Sequence, residues 1–412
     1  MSIKSPFRTY RTGLVALAAG LFAIANAALA ADPIKVGVTV AQSPPGSVSQ
    51  GTQVRDGIEV AAKIINDAGG VLGRQIELVI EDTQGIPEKT RAAVEKLITS
   101  DKVVAVVGEH QSSGVLAAIE VAHRYHVPYI NTNGWSDAIR EKGYAEVFNP
   151  GNYNSRVAIA MAETMKALGA KRIVAFCENT DYGVGLAKLL GAQLAERMPL
   201  GVEYKYETLD RAGKDFLPAL LPLKADPPDV VVEILLPPAA YIVLNQLYEQ
   251  GIAPSAKTYL YDASGIADYP DFWTNVSDAA KNMLVFGLYH PKMTLPDLGK
   301  KVAADYTAKT KNQPNRLLFQ AADSLFVVAE AIKAAKSTEP DAMIKALEDL
   351  KWTGTRGAVS FSTDKAGYRY HQWLDIPYLT FQITTVKQPI ADTKIVQDPG
   401  QALDPARIEK VK

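Results

Sequence analysis

Runs of β-branched and apolar residues alternate with stretches of helical spacing, and the alternation occurs twice along the chain. Ile34-Lys35-Val36-Gly37-Val38-Thr39-Val40, bounded by a Ser/Pro/Gly loop at 41–51, reads as a buried strand. Residues 53–68 carry Val54, Ile58, Ala61, Ala62 and Ile65 at three- and four-residue intervals and stop at Gly69-Gly70, which predicts a helix. The unit repeats through strands at 75–81, 103–107 and 128–131, with helices at 87–98 and 113–125. After a loop at 149–154, a second series has strands at 172–177, 201–208, 229–235 and 257–261 and helices at 156–168, 183–197, 216–224 and 239–249. Such alternation, with near-continuous apolar strands, packs as parallel sheets covered on both faces. Two series in one chain predict two α/β lobes of doubly wound, Rossmann-like form. Further on, a strand at 280–289, helices at 295–310, 317–333 and 340–350, and a hairpin-like tail over 358–370 and 377–384 are expected.

Ahead of the first strand, the basic residues Lys4, Arg8 and Arg11, an apolar run over 13–25 and Ala28-Leu29-Ala30 have the layout of a signal peptide cleaved after Ala30. The apolar run, about 13 residues, is too short to span a bilayer. No cysteine follows to take a lipid, so the mature chain is expected to be free in its compartment after export. The formal charge is -1, and losing three basic residues takes it to about -4, which argues against nucleic acid or an anionic membrane surface as a partner. Cys177 is the single cysteine, so no internal disulfide is possible and it reads as a small buried residue. Stability must then come from core burial, which a chain of this length supplies in two lobes.

In open α/β sheets, ligands lie beyond the carboxyl ends of the strands. That makes the loops 41–51, 109–114, 132–137, 178–183 and 262–268 the candidate site. Ser112, Ser113 and Gly114 fall between an apolar strand and a helix, where a hydroxyl, backbone N–H groups and the positive helix end converge on an anion such as a carboxylate. A serine helix cap with no ligand is the alternative. His123 and His126 have i, i+3 spacing, but no cysteine or acid nearby in sequence completes a zinc set. No nucleophile elbow, P-loop or H-E-x-x-H string is present, and the glycines lack the dinucleotide frame, so neither an enzyme nor a cofactor is expected.

Lys35-Val36-Gly37-Val38, Asp56-Gly57-Ile58-Glu59, Ala68-Gly69-Gly70-Val71-Leu72-Gly73-Arg74, Glu81-Asp82-Thr83, Val107-Gly108 leading to Ser112-Ser113-Gly114, and Asp181-Tyr182-Gly183 occur in this order. Together they resemble the branched-chain and hydrophobic amino-acid-binding proteins among the type I periplasmic receptors, over residues 34 to about 381. The resemblance implies two lobes joined by a hinge that the chain crosses three times, near 151–154, 284–289 and 355–357. Lobe one would comprise 31–152 and 288–355, and lobe two 153–287 and 356–412. It also implies closure on a small carboxylate-bearing solute, most simply a branched-chain or hydrophobic amino acid. Delivery to the permease and ATPase subunits of an ABC importer would follow, with a sensory receptor of the same fold as the other role.

On the family pattern, Ser112 binds the ligand carboxylate, with Ser113 beside it. In the loop Asn131 to Asp137, Trp135 stands where a ligand-contacting Thr is usual, next to Asn133 and Ser136. Trp135 either walls the pocket or packs beneath the loop. Tyr182 matches a tyrosine that folds over the ligand, and Asp181 either meets an ammonium or caps the next helix. The acid that grips the ligand ammonium aligns with Ala263, leaving Asp262 as the substitute, and Gln50 falls where an aromatic residue usually lines the side-chain pocket. Tyr153 and Asn154 lie at the first crossing and fit hinge packing. These departures leave an aromatic acid, an amide or another small metabolite open as the ligand.

Overall fold

The computed structural model describes residues 1–3, 32–198 and 201–411. The expected leader and its cleavage after Ala30 lie outside the described residues. Two sheets form the frame. The first is parallel, in the order β2-β1-β3-β4-β5: β1 (Ile34–Val40), β2 (Ile76–Asp82), β3 (Ala105–Gly108), β4 (Tyr129–Asn131) and β5 (Val147–Phe148). The second runs β14-β13-β10-β9-β8-β6-β7: β6 (Arg172–Glu178), β7 (Glu203–Leu209), β8 (Val230–Ile234), β9 (Tyr259–Asp262), β10 (Leu284–Gly287), β13 (Leu379–Gln382) and β14 (Lys394–Gln397). Central strands such as β3 and β8 are buried along their whole length, as helices on both faces require. β7, at the edge, leaves most of its polar residues in solvent.

Cys177 is buried in β6. No helix among the described residues is long and apolar enough to cross a membrane.

The chain passes from β5 to the helix Asn154–Leu168 of the second lobe and leaves it again after β10. The helix Arg316–Ala335 then packs against the helix Val48–Asp67 of the first lobe. Gly57 allows the close approach, since a Cβ there would sit 2.7 Å from the Leu318 carbonyl oxygen.

Four expectations change. Helix Val48–Asp67 begins inside the loop assigned to 41–51, which makes Gln50 helical. The helix expected at 216–224 is two single turns, Leu217–Leu220 and Pro222–Ala225, because Pro222 lacks the N–H that would bond back to the first turn and continue it. The tail is no hairpin of 358–370 with 377–384. A short β12 (Ala358–Val359) pairs with β11 (Trp352–Thr353), and β13 lies antiparallel between β10 and β14. The third crossing also falls later than 355–357. Asn149 N–H donates to the His371 carbonyl at 2.9 Å and Trp373 N–H to the Asn149 carbonyl at 3.1 Å, which holds this segment on the first lobe's edge at β5. The His371 ring stacks on Phe148 at 4.0 Å, so the chain returns to the second sheet only between Trp373 and Leu379.

Candidate ligand-binding site

A cavity of about 220 Å³ lies between the lobes at the carboxyl ends of β3, β4, β6 and β9. β3 ends at Gly108, whose φ of +130° turns the chain so tightly that a Cβ would lie 2.2 Å from the Thr39 carbonyl oxygen. The turn delivers Glu109, His110 and Gln111 to the helix Ser112–Tyr125, which no side chain caps, so its first-turn N–H groups face the cavity end without a side-chain acceptor. Ser112 Oγ accepts from Ser136 N at 3.0 Å, which leaves its own proton for an acceptor in the cavity. Ser113 lines the same wall and donates across the cleft to Asp181 Oδ2 at 2.6 Å. Glu109 is fully buried. Burial works against its charge, but the His110 ring 3.0 Å away, the Thr83 hydroxyl and the His110 N–H together hold its carboxyl below the ordinary range.

The second wall comes from the loop after β4. Asn131 ties it by donating to the Gly134 carbonyl at 2.8 Å and accepting from Gly134 N at 2.7 Å. Trp135 lines the cavity rather than packing beneath the loop; its Nε1 donates to Asn133 Oδ1 at 2.8 Å, and Asn133 lines the cavity too. The indole meets Tyr182 edge-on at 5.8 Å and Phe286 at 6.3 Å. Tyr182 comes from the second lobe at the start of the helix Asp181–Arg197 and shares a 2.8 Å hydrogen bond with Ser264. Burial pushes its phenol well above the usual value.

Four expected residues stand elsewhere. Ser136 and Asp181 line a wider outer cleft of about 690 Å³, which meets the inner cavity at Ser113 and Thr180. Gln50 is buried in the helix Val48–Asp67, away from the cavity wall. Asp262 sits behind the wall. Its carboxylate accepts from the N–H groups of Ser264, Gly265 and Ile266, each at 2.8 Å, and so shapes the loop instead of meeting an ammonium. Tyr153 stands at the N-cap position of its helix and stacks on Tyr368 at 5.1 Å, while Asn154 donates to the Tyr182 carbonyl at 3.0 Å and ties its helix to Asp181–Arg197. His123 and His126 both meet Glu146, and His126 also Asp341, yet no group among the described residues is arranged to hold a metal.

Glu233 faces Asp262 in register on the next strand, both fully buried. Burial, then mutual repulsion, raises the Glu233 carboxyl well above the usual value; burial raises that of Asp262 as well. Asp262 uses its oxygens as acceptors, so Glu233 is the proton carrier of the pair. A carboxyl raised in the folded state favours folding below its unfolded pKa, and that stability is lost as pH rises through the folded value. Glu233→Gln should therefore stabilise the chain by about 1 to 3 kcal/mol at pH 8 and leave it nearly unchanged at pH 4. Urea unfolding at the two pH values measures this, and an equal shift at both would mean that charge is not the cause.

Sequence reasoning did not single out Glu178, Thr180, Arg211, Leu236, Ser264 or Arg316, which also line the cavity. Glu178 and Thr180 lie in a loop already marked by its position after β6. Arg211 follows β7, whose Leu209 pairs with Glu178. Arg316 is ion-paired with Asp268 at 2.5 Å. Glu178 accepts from Thr180 Oγ1 at 2.7 Å and Leu236 N at 3.0 Å and has no cationic partner among the described residues. Arg211 donates to Ser47 Oγ at 2.7 Å and has no carboxylate partner among them. The cavity thus presents one carboxylate and one guanidinium, each without a counter-ion, beside an aromatic wall.

The sequence profile described as periplasmic binding protein matches residues 33–373. An amino acid binding protein from Pseudomonas aeruginosa is 29% identical over 347 residues, 84% of this chain and 89% of its own. Among solved structures, the branched-chain amino acid transporter substrate binding protein LivJ from Streptococcus pneumoniae, in complex with isoleucine, superposes with a TM-score of 0.77 at 24% identity, over 89% of this chain and 99% of that one. A solute binding protein of an ABC transporter from Rhodopseudomonas palustris, in complex with 3,4-dihydroxybenzoic acid, gives a TM-score of 0.76 at 21% identity, over 91% and 99%. At these identities the structures establish the fold, two parallel-dominated lobes of type I, and the profile establishes the descent. The chain belongs to the periplasmic binding protein family, whose members bind solutes and are not enzymes.

Proposed function

We propose that this chain is the receptor of an ABC importer for a small α-amino acid with an apolar side chain, captured in the periplasm after removal of the leader. The observation that carries the reading is the pair of unneutralised opposite charges in one cavity, Glu178 and Arg211. A zwitterion satisfies both. Its ammonium would meet Glu178, and its carboxylate the Ser112 hydroxyl, the first-turn amides of that helix and Arg211. Trp135, Tyr182, Leu236 and Pro87 would take the side chain. The cavity, about 220 Å³, lies below the roughly 300 to 1,000 Å³ of drug-sized sites, which favours a small metabolite.

Lobe one is best taken as 32–152 with 288–373, and lobe two as 153–287 with 374–411. A ligand touching both binds the closed form better and shifts the population toward it, offering a docking face to the permease. A second reading, an aromatic carboxylate, is favoured by the edge-on Trp135 and Tyr182 rings and needs no ammonium partner.

A thermal-shift screen of mature protein stripped of ligand by refolding tests both. A one-site ligand at about 100 times its Kd adds roughly 2.7 kcal/mol of stability. Hits among aliphatic or aromatic amino acids, but not their des-amino analogues, are expected. Hits confined to benzoates would replace the first reading with the second. Ser112→Ala should weaken the hit by about 1 to 3 kcal/mol, and unchanged affinity by calorimetry would remove Ser112 from the carboxylate site.

A further inference from the structure

Arg316 begins the helix Arg316–Ala335, which is fixed to the first lobe: Asn315 caps it at Leu318 N and donates to Gln53 of the helix Val48–Asp67. Yet every polar partner of the guanidinium belongs to the loop after β9 in the second lobe. Nη1 donates to the Gly265 carbonyl and to Asp268 Oδ1, the latter at 2.5 Å. Nη2 donates to the Ser264 carbonyl at 2.7 Å and to the Tyr269 hydroxyl at 2.6 Å. The Arg316 N–H adds a 3.2 Å bond to Asp268 Oδ2. The guanidinium lies over the Tyr269 ring at 4.8 Å and the Trp135 ring at 5.8 Å.

Asp262 braces the same loop from behind, so Arg316 grips a preformed socket. Other polar bridges across the cleft, such as Ser113 to Asp181, Ser47 to Arg211 and Ser49 to Asp271, have a neutral hydroxyl on one side. Arg316 with Asp268 is the buried ion pair among the cross-lobe contacts of the described residues.

We propose that Arg316 is the positioning residue of the cleft: it latches the first lobe to the loop 264–269, sets the closed-to-open ratio, and through that ratio sets ligand affinity. Opening the lobes must break four charge-assisted hydrogen bonds at once. Because affinity scales with the fraction of competent, closed protein, loss of the latch lowers affinity for any ligand by the factor lost in closure. The proposal does not depend on which solute binds.

The test uses the full mature chain without ligand, carrying spin labels at Glu88→Cys and Lys214→Cys, exposed positions on the two lobes; Cys177 is buried and stays unlabelled. A closed population is expected in the parent. Arg316→Met should lower the closed-to-open ratio by roughly tenfold to a hundredfold, the worth of one or more charge-assisted hydrogen bonds. Arg316→Lys should restore part of it, and Tyr269→Phe should shift it the same way by less. Should Arg316→Met fail to fold, Tyr269→Phe decides. A distance distribution unchanged in the variant that folds would overturn the latch. Failure of every amino acid in the thermal screen would overturn only the ligand reading, since this readout contains no ligand.

Discussion

Asp323→Ala is expected to destabilise the chain by about 3 to 5 kcal/mol in urea unfolding at pH 7. Asp323 and Arg356 are ion-paired at 3.3 Å with both side chains wholly buried. The carboxylate also accepts from Thr355 N at 2.8 Å and Thr355 Oγ1 at 2.9 Å, and Arg356 donates onward to the Pro150 carbonyl at 3.3 Å and lies over Trp373 at 5.3 Å. Burial raises the Asp323 carboxyl and lowers the Arg356 guanidinium, and each charge offsets the burial penalty of the other. Alanine would strand a buried cation. Asp323→Ala combined with Arg356→Met removes both charges and should recover much of the loss. A single-variant cost under about 1 kcal/mol would mean that the pair does not hold the 355–373 segment to the first lobe.

That segment marks the boundary of what sequence could disclose. The strand-helix alternation is local, written in β-branched runs and three- and four-residue spacings, and it located β1 to β4 and β6 to β10 with their strand-end loops, but not the short β5 and β11 or the late β14. The third crossing depends on His371 and Trp373 bonding to Asn149, more than 200 positions away, which no local pattern encodes. The site divides in the same way. Ser112, Ser113 and Tyr182 sit at strand-to-helix turns, where position alone implies the cavity. Asp262 sits at such a turn as well, but its carboxylate serves the three amides that follow it. An acid that binds ligand and an acid that ties its own loop look alike in sequence. Arg316 opens a helix far from any strand end and reaches the cavity only because its helix packs on Val48–Asp67.

Glu178→Gln should cost an amino acid ligand about 2 to 5 kcal/mol of affinity, mostly as faster dissociation, because the ammonium would then be buried without a counter-charge. The substitution keeps the local frame. The glutamine oxygen can still accept from Leu236 N, and its NH₂ group can donate to Thr180 Oγ1, which Glu178 now uses as a donor at 2.7 Å. The cleft therefore loses a charge without losing its shape. Calorimetry with an amino acid and its des-amino analogue isolates the term: the parent should prefer the amino acid strongly, and the variant should prefer it little or not at all. Equal losses for both compounds would place Glu178 in the scaffold of the cleft and leave Arg211 and the Ser112 helix end as an anion site, the arrangement an aromatic carboxylate requires.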